Sequence, residues 1–154
     1  MEWRGGREML VSFEASTLVD WTAYAKARAE LGTGFGRILG YFREDGVKSV
    51  AAIEAAMRGL SAAAMVIPAH TLKGESRQFG AEPLASLAER IETIARDCVE
   101  TRDTPDEALE LVVGLRALFN ETLKMLEREA APPAERRPVA GFGRRPTATF
   151  GRAG

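Results

Sequence analysis

His70 is the only histidine of the chain, and it stands in the run Ala69-His70-Thr71-Leu72-Lys73-Gly74. Imidazole is largely unprotonated and nucleophilic near neutral pH, so an exposed histidine can take a phosphoryl group from an acyl phosphate. Phosphoryl transfer passes through a loose transition state with charge on the equatorial oxygens, and a nearby cation stabilises it. Lys73 follows one helical turn after His70 and can supply that cation. Arg77 comes one turn later and can steer an acidic partner toward the site. Gly74 has no side chain, which lets a partner loop approach the imidazole. Glycine in mid-helix costs roughly 0.5–1 kcal/mol against alanine, so its presence here asks for such a reason.

These residues act together only if one helix presents them on one face. At about 100° per residue, Met65, Leu72 and Phe79 fall within about 40° of one another and define a core stripe, flanked by Pro68, Glu75 and Ser76. His70 lies about 140–180° from that stripe and is expected to face solvent. Lys73, Gly74 and Arg77 share its side, and Val66 and Ile67 form an apolar collar.

The rest of the chain supplies the framework. Long stretches avoid proline and are rich in Ala, Leu, Glu and Arg, which favours helix, and no strand-like alternation appears. Five helical segments are expected. The first spans about Ser16 to Leu31, capped by Ser16 or Thr17. The second spans Phe35 to Arg58, with a break near Gly46 left open. The third starts after Ser61 and ends at Gly80, and the fourth runs from about Pro83 to Thr101. The fifth is capped by Thr104, with Pro105 at its first position, and runs to Ala130. In the fifth, Ala108, Leu111, Val112, Leu115, Leu118, Phe119 and Leu126 recur at three- and four-residue steps; Leu84, Leu87, Ile91, Ile94 and Cys98 do so in the fourth. The expected fold class is all-α: an up-down four-helix bundle with an additional N-terminal helix. The bundle is placed at 16–130, after an N-terminal extension over 1–15 and before a disordered Pro/Gly/Arg tail over 131–154.

Composition narrows the classes of function. No apolar run reaches the roughly 18 residues of a membrane span. No secretion signal is read at the N-terminus, and the expected compartment is the cytoplasm. A single cysteine, Cys98, allows no internal disulfide, and one histidine with scattered carboxylates makes no metal site. Residues 131–154 hold five arginines and one glutamate, leaving the rest net acidic. An acidic body with a short basic tail is not a nucleic-acid surface.

His-x-Leu-Lys-Gly followed six residues on by glycine resembles the signature of histidine-containing phosphotransfer (HPt) domains. His70, Leu72, Lys73, Gly74 and Gly80 match it, and the resemblance covers roughly residues 16–130. It implies reversible phosphorylation of His70, usually on Nε2. The chain would be a phosphorelay intermediate, with no ATP-dependent kinase activity and no cofactor of its own. The implied partners are response-regulator receiver domains, which carry Mg2+, and a (hybrid) sensor histidine kinase. His70 would be the phosphoacceptor, with Lys73 and Gly74 beside it, and Val66, Ile67 and Arg77 would form part of the docking surface. Thr71 stands where dimeric kinase H-boxes carry an acidic residue, which favours a monomer. Two positions depart from the pattern. Pro68 lies inside the helix and should bend it. Glu75 stands where many relatives carry a small residue.

Other readings compete. A helical adaptor that binds a receiver or kinase without being phosphorylated would have the same fold. Gly32-Thr33-Gly34-Phe35-Gly36 resembles a glycine-rich nucleotide-binding turn, but no strand precedes it, and an inter-helix turn is the expected form. Arg96 aligns with a basic position lining the phosphoryl site in some relatives; a surface salt bridge with Glu92 or Glu100 explains it equally well. Glu89, Arg90, Glu92 and Arg96 together read as a solvated helix face. Phe142-Gly143-Arg144 and Phe150-Gly151-Arg152 in the tail read either as coincidence or as a docking motif.

Overall fold

Asp20 decides where the first long helix begins. Its Oδ1 accepts hydrogen bonds from the backbone N–H groups of Thr22 and Ala23, satisfying two donors of a helix start. The computed structural model describes residues 15–131. The helices are α1 (Ala15–Leu18), α2 (Trp21–Leu31), α3 (Phe35–Arg58), α4 (Ala62–Gln78), α5 (Glu82–Thr101) and α6 (Leu109–Ala130). No strand occurs among the described residues. The single helix expected from Ser16 is therefore two, with a break at Val19-Asp20. Asp20 wins the cap because its carboxylate reaches two free N–H groups.

Three further boundaries differ from expectation or settle it. α3 is continuous through Gly46, because glycine there makes room: a Cβ would stand 2.3 Å from a ring carbon of Phe119 on α6. Thr104 does not cap α6; its hydroxyl donates to the Asp106 carboxylate, and a 3-10 turn over Asp106–Ala108 leads into the helix. α4 runs unbroken through the half-buried Pro68. Its start agrees with expectation, since Ser61 Oγ accepts from the Ala64 N–H. The expected N-terminal extension over 1–15 and tail over 131–154 lie outside the described residues, apart from Ala15 and Ala131.

Four long helices, α3 to α6, share one core. α4 packs against α5 and α3, and α6 closes against both α3 and α5. α3 and α6 are antiparallel, since Glu54 late in α3 meets Arg116 early in α6, and Arg43 early in α3 meets Glu127 late in α6. The apolar stripes read from the sequence are inside: Met65, Leu72 and Phe79, then Leu84 and Ile91, then Val112, Leu115, Phe119 and Leu126. An aromatic chain runs Trp21–Tyr24–Phe35–Phe79–Phe42–Phe119 with centroid spacings of 5.0–5.8 Å, inside the range where ring pairs attract.

α2 lies across one end of these helices. Tyr24 Oη donates to the carbonyl of Leu126, and Arg28 donates to those of Glu129 and Ala130. The Glu129 and Ala130 carbonyls belong to the last four of α6, which have no i+4 donor within the helix. At the α4–α5 turn, Gly80 has φ +78°, and its carbonyl accepts from the Asp20 N–H at 2.8 Å. A Cβ on Gly80 would meet the Asp20 carbonyl at 2.7 Å, so both conformation and closeness require glycine.

Candidate functional site

α4 presents His70 because its opposite side is committed to the core. Met65, Ala69, Leu72 and Ser76 are buried, and this turns His70 outward with 56% of its side chain exposed. Gly74 is exposed on the same side, and a Cβ there would meet nothing within 4 Å. Packing among the described residues therefore does not explain the glycine.

α5 contributes the residue that organises the site. Ala85, Ala88 and Ala95 are fully buried, and small side chains at three- and seven-residue steps, all on one helix face, let two helices approach closely. Glu92 falls in the same stripe, and only 6% of its side chain is exposed. Its Oε2 lies 3.0 Å from Nδ1 of His70 and 2.8 Å from both Nε and Nη2 of Arg96. Its Oε1 lies 2.8 Å from Nζ of Lys73, whose side chain is 21% exposed. The expectation that Glu92 belongs to a solvated face is thus corrected. The Arg96–Glu92 salt bridge forms, with Arg96 54% exposed, but its acidic partner is a buried hub and not a surface group.

The electrostatics follow from that burial. Desolvation pushes the Glu92 carboxyl upward, but hydrogen bonds from Lys73, Arg96 and His70 outweigh it and hold the group at about 2. Glu92 is therefore ionised at neutral pH and can only accept hydrogen bonds. The imidazole proton must then sit on Nδ1, which leaves the lone pair on Nε2. Two cations, Lys73 and Arg96, bind the same carboxylate as the ring.

An apolar groove of about 330 Å³ adjoins the site, lined by Ala63, Val66, Ile67, Arg96 and Val99. Ile67 is 67% exposed. The collar of Val66 and Ile67 thus extends across to α5 through Val99. Arg77 is engaged with α5: its guanidinium binds Glu89 at 3.0 Å and Glu82 at 3.4 Å. Gly32–Gly34 forms a 3-10 turn between α2 and α3, as expected of an inter-helix connection. Among the described residues no three His, Cys, Asp or Glu group as metal ligands, and no helix is long and apolar enough to cross a membrane.

Sequence reasoning missed Glu92 as a site residue. A signal was present: Glu92 is the one carboxylate in the Ala85–Ala88–Ala95 stripe. Wheel geometry applied to α5 would have put it on the packed face.

A profile of the Hpt domain matches residues 37–130. This chain belongs to the Hpt family, the histidine-containing phosphotransfer domains. Its role is therefore phosphotransfer in two-component signalling. The crystal structure of histidine-containing phosphotransfer protein B (HptB) from Pseudomonas aeruginosa PAO1 has the same fold. The TM-score is 0.65 at 22% identity, over 73% of this chain and 93% of that one. No curated protein sequence matches the chain.

Proposed function

We propose that the chain is a phosphorelay intermediate that carries a phosphoryl group on His70 Nε2 between receiver-domain aspartates. The observation that carries this reading is the 3.0 Å contact of His70 Nδ1 with a buried, ionised Glu92. It sets the tautomer in which the outward nitrogen is the nucleophile.

In the forward step, the Nε2 lone pair attacks phosphorus of an aspartyl phosphate. The N–P bond forms as the P–O bond to the aspartate breaks, and the aspartate leaves as a carboxylate. The imidazole gains positive charge while Nδ1 keeps its proton, and Glu92 stabilises that charge. Lys73 and Arg96 compensate the equatorial oxygens. The reverse step delivers the group to the next aspartate. Mg2+ for this chemistry comes with the receiver, and the chain has no ATP-dependent kinase activity of its own.

Docking uses the groove beside His70, with Val66 and Ile67 on its α4 wall, and Gly74 leaves the approach open. Arg77 adds positive charge at the rim while bound to Glu82 and Glu89. The partners are receiver domains and a hybrid sensor kinase. The chain works as a monomeric up-down bundle in the cytoplasm, with the N-terminal helix laid over one end.

The test mixes purified protein with a phosphorylated receiver domain and follows the label. Acid-labile, base-stable label on the chain, absent in His70→Gln with helicity unchanged, is the expected result. Full labelling of that variant would remove His70 from the mechanism. Binding without label across a broad panel of receivers would point instead to a non-phosphorylated adaptor.

A further inference from the structure

A second pair of ionisable groups sits on the other side of α4, and the phosphoryl chemistry does not use it. Glu75 follows His70 by five residues, which turns it about 140° around the helix, toward α3. The side chain is half-buried in the α3–α4 seam. Its Oε1 is shut off from solvent and meets no donor group, and the neighbouring Ser76 hydroxyl is likewise buried and unpaired. The group facing Glu75 from α3 is another carboxylate, Asp45, close enough for a carboxyl–carboxyl hydrogen bond.

Two ionised carboxylates have only acceptors to offer each other, so that bond needs a proton between them. Among the described residues, neither group has a cation in ion-pair range. Arg43 is committed to Glu127 and Lys73 to Glu92, and Lys48, one turn after Asp45 on α3, is exposed and pairs with neither carboxylate. The charges that α5 brings to α4, at Glu82, Glu89 and Glu92, meet it at Arg77, His70 and Lys73, on the flank away from Glu75. From α2, Arg28 is tied to the end of α6.

We propose that Asp45 and Glu75 form an acid-closed clasp, in which a shared proton fastens α3 to the C-terminal half of the helix that carries His70. Burial, and then the hydrogen bond and charge of Asp45, raise the Glu75 carboxyl to about 7. The folded state therefore holds this proton more tightly than the unfolded chain does. The resulting stability is fully present below about 4.5 and is lost as pH rises through about 7. Once the proton leaves, two anions face each other across the seam, and this half of α4 loosens. The clasp is independent of whether His70 is phosphorylated.

Thermal midpoints of the full chain, measured from pH 4.5 to 8, test the clasp. They are paired with hydrogen exchange of the α4 amides after His70. The wild type should lose about 5 °C over that range, with exchange in α4 quickening as pH rises beyond its intrinsic trend. Glu75→Gln keeps the shape and a donor for Asp45 but cannot ionise, so the loss should disappear. Asp45→Asn supplies a donor from the other side and should also flatten the profile; it carries the test alone if Glu75→Gln does not fold. A wild-type midpoint flat over this range, or an equal fall in a folded variant, would overturn the clasp. Labelling of His70 should persist in both variants, which separates this test from that of the relay.

Discussion

Nδ1 of His70 stands 3.0 Å from Oε2 of Glu92, a residue on the next helix and 22 positions further along the chain. The contact joins an exposed imidazole to a buried carboxylate. Three groups converge on that one carboxylate, so removing it disturbs the ring and both cations at once.

Glu92→Ala should therefore slow phosphoryl transfer to His70 by at least about tenfold, because the imidazole loses its fixed tautomer and the support for its positive charge. Glu92→Gln retains an acceptor oxygen without the charge and should recover part of the loss. Single-turnover transfer from a phosphorylated receiver measures both. Equal rates in wild type and Glu92→Ala would show that the carboxylate serves packing alone.

The same carboxylate should govern acid stability. Its folded value of about 2 lies below the ordinary 4.5, so its contribution is complete above 4.5 and is lost as pH falls toward 2. That contribution is on the order of 2–3 kcal/mol. Denaturant melts between pH 5 and 2.5 should fall more steeply for wild type than for Glu92→Gln. Parallel curves would mean that Lys73, Arg96 and His70 do not hold the charge in solution.

Lys73→Ala should reduce the transfer rate about tenfold while changing receiver affinity by less than about threefold, because in the proposed mechanism its ammonium compensates the charge that develops in the transition state. Stopped-flow transfer and a separate binding isotherm divide the two effects. A weakened affinity with an unchanged rate would make Lys73 a docking residue.

Ile67 covers no core, so Ile67→Asp should leave the melting temperature nearly unchanged while weakening receiver binding by about tenfold or more. Titration calorimetry with a receiver domain and thermal melts check the pair of outcomes. Undiminished binding would move the docking surface away from the groove.

Gly46→Ala should destabilise the protein by about 2–3 kcal/mol, since the added methyl meets the Phe119 ring inside a filled core. The ring cannot retreat easily, because it also packs against Phe42. Chemical denaturation reads the cost; a loss under about 0.5 kcal/mol would show that the α3–α6 contact yields freely.

The amino-acid sequence by itself determined where the long helices lie, which face of each is apolar, and that His70, Lys73 and Gly74 share one side of α4, on which His70 and Gly74 are exposed. These are properties of a 3.6-residue period, and they involve neighbours within one or two turns. The Hpt signature was legible for the same reason. It could not show that Asp20 splits the first helix, since Ser16, Thr17 and Asp20 are all capping types and only the placement of the chain selects one. Nor could it distinguish a break at Gly46 from a cleft for Phe119, a residue 73 positions away. Glu92 is the sharpest case. On its own helix it makes an ordinary four-residue pair with Arg96. Only the closeness of α4 and α5, set by alanines packed between them, buries that carboxylate beneath the imidazole. Helix faces are encoded locally, but which side chains meet across a seam depends on distance and register between helices, and those are settled when the whole core packs.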